Sequence, residues 1–157
     1  MQKTNAIRLL ERAGVTFRTH EYAVDENALD AVSVARAVGF DAERVFKTLV
    51  ARGDDGAPLV LCIPGNLELD LDKAARAAGL RRVALIRLRE LQPLTGYIHG
   101  GCSPFAMKKQ LPTWVDESAQ LFDTVLVSGG ARGLQVRIAP DALIAITGAS
   151  VADLTRG

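Results

Sequence analysis

An α+β domain with a mixed sheet is the fold class this sequence predicts. Helical patterns alternate with extended ones in the first half of the chain, whereas short β-rich runs cluster in the second half. Strict βαβ winding would keep the alternation to the end, so a mixed sheet with helices around it is the better fit. The elements follow in order. Thr4 has the side chain of a helix N-cap, Ile7 and Leu10 follow at helical spacing, and Gly14 supplies a stop after Ala13. Val15–Tyr22 is rich in β-branched and aromatic residues, with Val15, Phe17 and Thr19 on one face of a strand and His20 and Tyr22 on the other. Leu29–Val38 reads as a helix with Val32, Ala35 and Val38 inward and Gly39 at its end.

Val45–Val50 is an apolar run broken by Lys47, and Leu59–Ile63 is its antiparallel partner across the polar turn Arg52–Gly56. Asp70 can cap a helix that ends at Gly79, with Asp72 at its positive end and Arg76 late in it. Val83–Ile86 is a further strand. Past a glycine-rich stretch, Thr113–Asp116, Thr124–Val127 and Leu134–Ile138 read as short strands, the last two joined by the turn Ser128–Gly133. From Pro140 to Leu154 the apolar spacing is helical, with a break at Gly148. No internal repeat, low-complexity tract or linker divides the chain, and residues 1–157 are expected to form one domain.

Composition removes several classes of function. A net charge of +1, from 19 basic and 18 acidic residues, excludes a generic nucleic-acid coat, so any polyanion has to meet a local patch. Lys73, Arg76, Arg81, Arg82, Arg87, Arg89, Lys108 and Lys109 face Glu90 alone in their window, which reads equally as a solvated face or as a phosphate-binding surface. Cys62 and Cys102 are too few for a disulfide framework and are expected to be reduced thiols. With neither an export signal nor a run of about 18 apolar residues, a cytoplasmic location without membrane attachment is expected. His20 and His99 lack paired ligand spacing, so no metal site is expected.

The segment Gly96–Lys109 carries the strongest chemical signal. Gly100 and Gly101 can turn two peptide N–H groups toward one oxygen, Pro104 fixes the chain, and Lys108 and Lys109 add positive charge, as an anionic or oxyanionic ligand would require. Ordinary turns use the same residues. Lys47 lies inside an apolar strand and either snorkels to the surface or holds a phosphate or carbonyl oxygen at the mouth of a pocket; desolvated, it could act as a base. Ser128 lacks the upstream glycine of a nucleophile elbow. Ser103 and Cys102 have no assigned base nearby. Neither glycine-rich loop completes a Walker or dinucleotide pattern, so no nucleotide cofactor is expected.

Taken together, Val45–Leu49, Leu69–Lys73, Gly96–Pro104, Lys108–Thr113 and Val127–Leu134 resemble, in order and spacing, the YbaK/EbsC-type aminoacyl-tRNA editing domains. The nearest likeness is to the free-standing deacylases of Cys-tRNA(Pro), relatives of the insertion domain of bacterial prolyl-tRNA synthetases. The resemblance implies a partly closed mixed β-sheet ringed by helices, and hydrolysis of the ester between a wrong amino acid and the tRNA 3′ end without any cofactor. It puts Lys47 on the lysine that the family requires, with Gly100 and Gly101 as the catalytic loop. Tyr22, Thr48, Ser103, Pro104, Lys108, Ser128, Gly129 and Arg132 then become substrate-binding residues. The implied partners are the CCA end of an aminoacylated tRNA and prolyl-tRNA synthetase, with the chain a monomer by default. Cysteine is the first candidate for the amino acid removed and alanine or another small residue the alternative; a non-catalytic tRNA- or synthetase-binding module is the competing class. Two departures stand out. Family members commonly read Ser-Pro-Leu-Gly-Gln-Lys-Lys where this chain has Phe105, Ala106 and Met107 after Ser103-Pro104, and often carry aspartate where it has Gln135.

Overall fold

The structure, a computed structural model, describes residues 3–156. Helix α1 (Asn5–Ala13) starts where expected: the Thr4 hydroxyl accepts the Ile7 N–H at 3.1 Å, and Gly14 ends the helix at φ 70°. Its buried residues Ala6, Ile7 and Leu10 turn one face to the core. After strand β1 (Phe17–Glu21), α2 (Ala31–Val38) begins at the Asp30 cap, whose carboxylate accepts the Ser33 N–H and hydroxyl. Starting there rather than at Leu29 changes the inward face. Val34 and Ala35 are buried, whereas Val32, expected inward, is 38% exposed.

A 3-10 turn (Ala42–Arg44) leads into the expected hairpin of β2 (Phe46–Gly53) and β3 (Pro58–Pro64), in register from Phe46 opposite Pro64 to Arg52 opposite Pro58. Helix α3 (Leu71–Ala78) is capped by Asp70 and followed by β4 (Val83–Leu85). Helix α4 (Leu88–Thr95) was not expected from sequence; it starts on a box in which Glu90 accepts the Arg87 N–H, and it carries Pro93 inside. The second half adds β5 (Thr113–Asp116), a 3-10 turn (Glu117–Leu121), β6 (Val125–Ser128), β7 (Leu134–Ile138) and α5 (Pro140–Thr147). The helical spacing read onward to Leu154 stops at Gly148. Residues beyond that glycine form β8 (Ser150–Ala152), recruited by pairing alongside β5.

Five strands in the order β4-β2-β3-β5-β8 form one mixed sheet, antiparallel around β2 and parallel from β3 to β8. The antiparallel sheet β1-β7-β6 is joined to it by a parallel bridge between Val45 and Leu126. The α+β class with a mixed sheet is borne out, and the partial closure is this one bridge. Central strand β3 has both faces covered: Val60 and Cys62 enter the main core with Ile7, Val127 and Val136, while Leu61 and Ile63 pack under α3. Double coverage explains its unbroken apolar run. Helix α2 covers the other face of the small sheet through Val34 and Ala35 against Leu126. No described helix is long and apolar enough to cross a membrane.

The glycine-rich stretch is tied to the core by Tyr97, whose hydroxyl donates to the Phe105 carbonyl, and by the buried Phe105 ring. Next to that ring, Ala106 is the one described non-glycine residue at positive φ, 56°. A Cβ is strained there, and glycine, which the resemblance noted above implies at this point, would relieve it. Ala106→Gly is expected to raise the unfolding free energy by about 1 kcal/mol, because relief of strain outweighs the extra freedom of the unfolded chain. Urea denaturation of the two proteins checks this.

Candidate active site

A cavity of about 170 Å³ opens where the bridge between the sheets leaves a gap. Its walls come from five places: the start of α2, the opening residues of β2, Leu91 of α4, the loop after α4, and the adjoining ends of β6 and β7. Of the residues expected to act or bind in the site, Lys47, Thr48, Gly100 and Ser128 line it. Lys47 is half-buried, and its ammonium has one weak partner, the Gly65 carbonyl at 3.4 Å. Burial pulls its pKa below the ordinary 10.5, against the opposing pull of Glu68 and Asp30. A cation so weakly satisfied is free to hold a phosphate or carbonyl oxygen.

Asp30, on the cavity wall, is held below the usual carboxylate range, first by its bonds from Ser33, so it stays ionised as the helix cap. The thiols offer no nucleophile. Cys102 lines the cavity but burial pushes it up to about 12, and the fully buried Cys62 is raised to about 12 as well. Ser128 accepts the Gly130 N–H at 3.2 Å, and among the described residues no histidine or carboxylate hydrogen-bonds to its hydroxyl.

The glycine pair works differently from the expectation. Gly100, at φ 85°, lines the cavity, and its N–H makes no hydrogen bond among the described residues. The Gly101 N–H is instead tied to the Ile98 carbonyl at 3.0 Å, closing a turn, so it is not a free oxyanion donor. What Gly101 needs is closeness: a Cβ there would meet Arg132 N at 3.1 Å and Ala131 C at 3.2 Å, both backbone. Arg132 reinforces the approach by donating to the His99 carbonyl at 2.9 Å.

Arg132 and five further residues expected to bind substrate lie outside the lining. Ser103 is fully buried and its hydroxyl accepts the Phe105 N–H, while Pro104 faces a separate cleft beside Leu9 and Met107. Lys108 is exposed and its stem covers Gly96. Gly129 is pressed against Leu134, and Tyr22 packs on the α2 cluster. The basic window also disperses, since Lys73 is bound to Asp153 and to the Thr155 carbonyl. Sequence reasoning missed Asp30, whose position before a helix reads only as a cap, and gave Gln135 and His99 no place in the pocket. For Gln135 a signal existed: it stands in strand β7 where the resembled family often carries aspartate, flanked by Leu134 and Val136.

Against proteins already described, the model of the aminoacyl-tRNA editing domain matches residues 25–146. A protein of Enterococcus faecalis, EbsC, named for a proposed Cys-tRNA(Pro)/Cys-tRNA(Cys) deacylase activity, is 46% identical over 154 residues, covering 98% of this chain and 94% of its own length. YwhH of Bacillus subtilis, whose function is uncharacterised, is 25% identical over 69% of each chain. Among solved structures, a proposed trans-editing enzyme for prolyl-tRNA synthetase superposes with a TM-score of 0.86 at 31% identity over the whole of both chains. The hypothetical protein APE2540 superposes at 0.89 and 26% identity, over 98% of this chain and all of its own. The matched region runs from the loop before α2 to α5 and so contains every wall of the cavity. This chain belongs to the aminoacyl-tRNA editing domain family.

Proposed function

We propose that this chain is a trans-editing deacylase that removes a wrong small amino acid from tRNA(Pro), cysteine first. The observation that carries the reading is a cavity with a weakly partnered cation, Lys47, and an open loop N–H, Gly100, but no paired nucleophile and base. Such a site can hold an ester and stabilise charge on its carbonyl oxygen while the attacking atom comes from elsewhere. With cysteine, the substrate's own thiol closes on the carbonyl. An S–C bond forms, the C–O bond to the ribose breaks, and the thiol proton ends on the ribose oxygen. With alanine, water must attack.

Lys47 contacts the terminal phosphate or the carbonyl, and Thr48 and Ser128 border the amino acid. The small cavity sets selectivity by size, which for one methylene is worth about 1–3 kcal/mol. Prolyl-tRNA synthetase is the partner that would direct so small a footprint to tRNA(Pro), with the chain acting as a cytoplasmic monomer. The test is deacylation of tRNA(Pro) charged with cysteine, alanine or proline. Release of cysteine with retention of proline is the expected result; faster release of alanine would reassign the substrate, and bound but uncleaved tRNA would make the chain a binding module.

A further inference from the structure

A polar row crosses the strands beside the cavity. Ser128 on β6 stands opposite Gln135 on β7, and Gln135 stands opposite His20 on β1. Directly opposed residues of antiparallel strands share a face, with Cβ atoms about 5 Å apart. Lys47 heads the row, because it lies two residues past Val45 as Ser128 lies two past Leu126, and Val45 and Leu126 form the bridge.

Two buried side-chain polar atoms among the described residues have no hydrogen-bond partner, and they are adjacent members of this row: His20 Nε2 and Gln135 Oε1. Gln135 is 5% exposed and lines the cavity. Its oxygen is occluded without a partner, and its amide nitrogen is not among the occluded atoms, which leaves the nitrogen as the end available to a ligand in the cavity. An imidazole N–H and an amide oxygen on facing rungs are complementary, and their terminal torsions are soft enough to close the gap. The imidazole is also kept from charging: burial, then Arg137 and Arg18, lower its pKa, and its ring meets the Phe40 edge at 5.2 Å.

We propose that His20 donates its Nε2–H to Gln135 Oε1, and that the amide NH2, oriented in this way, donates to the carbonyl oxygen of the ester held in the cavity. Gln135 is then a catalytic residue beside the open Gly100 N–H, and His20 is a positioning residue. The inference rests on the deacylase reading for its second half and on the fold alone for its first.

Gln135→Glu keeps the shape and replaces the donor with an anion. It is expected to lower kcat on Cys-tRNA(Pro) about a hundredfold with KM little changed, the effect of losing one donor to an oxyanion. If the amide oxygen served instead as an acceptor for the substrate's ammonium group, Gln135→Glu would equal or exceed the wild type, and the proposal would be overturned. His20→Ala is expected to lower kcat about tenfold, with His20→Gln, which restores a donor, recovering part of it.

The pair is read independently by nitrogen NMR of the labelled protein. A protonated His20 Nε2, and Gln135 side-chain amide resonances that shift in His20→Ala, support it; an unprotonated Nε2, or amide resonances that do not respond, overturn it. Turnover of no charged tRNA by the wild type would overturn the catalytic half together with the deacylase reading. A shift of the Gln135 amide would still uphold the pair.

Discussion

Lys47→Ala is expected to reduce kcat/KM for Cys-tRNA(Pro) by about a hundred- to a thousandfold, the loss seen when one preorganised electrostatic contact to a developing charge is removed. That corresponds to about 3–4 kcal/mol of transition-state stabilisation. Folding should not suffer. Lys47 sits half-buried with one long hydrogen bond, and burial disfavours its charged form, so Lys47→Met should melt at or above the wild-type temperature while remaining inactive. The linkage has a definite sign. Because the folded pKa is below 10.5, folding carries a penalty at lower pH that fades as pH rises through the lowered pKa and is gone above 10.5. Activity runs the other way, falling as the ammonium deprotonates. Thermal melts and single-turnover rates across alkaline pH, on the wild type and Lys47→Met, separate the two trends. A fully active Lys47→Ala protein would remove the proposed mechanism.

Local rules explain which parts of this molecule were legible. Thr4 and Asp70 set their helices by side-chain bonds to nearby N–H groups, and Gly14 and Gly79 end them in left-handed turns, all within a few residues of sequence. The β2–β3 hairpin was equally local. Helix α4 was hidden because Pro93 and the polar residues around it dilute its pattern, and β8 because its three residues acquire strand geometry only by pairing with β5. The site divides in the same way. Lys47 stood out as a charge inside an apolar strand, a contrast that survives without coordinates. Asp30 and Gln135 did not stand out as cavity residues, since each becomes one only when α2 and β7 are brought against β2. Gly101 was recognised as constrained but for the wrong reason: the close approach of residues 131 and 132, not a free N–H, requires the missing Cβ.

Phe105→Ala is expected to be the most damaging single change to stability among the residues near the site. Phe105 is 1% exposed and lies in the main core, and its carbonyl and N–H are both held, by Tyr97 and Ser103. Truncating such a ring costs about 3–5 kcal/mol, a large part of the 5–15 kcal/mol that holds a domain together. Collapse around the void is impeded here, because the cleft lined by Pro104, Phe105 and Met107 already lies on one side and the removed ring would enlarge it. Phe105→Leu fills most of the volume and should cost about 1 kcal/mol. The two variants also divide stability from function. Phe105 anchors the stretch that leads back to Gly100 and Cys102 on the cavity wall. The folded fraction of Phe105→Ala should therefore deacylate more slowly than its population accounts for, whereas Phe105→Leu should retain the wild-type rate. Urea denaturation combined with single-turnover kinetics measures both quantities. A loss of under about 1 kcal/mol for the alanine variant would mean that the loop is held by Tyr97 and the backbone alone.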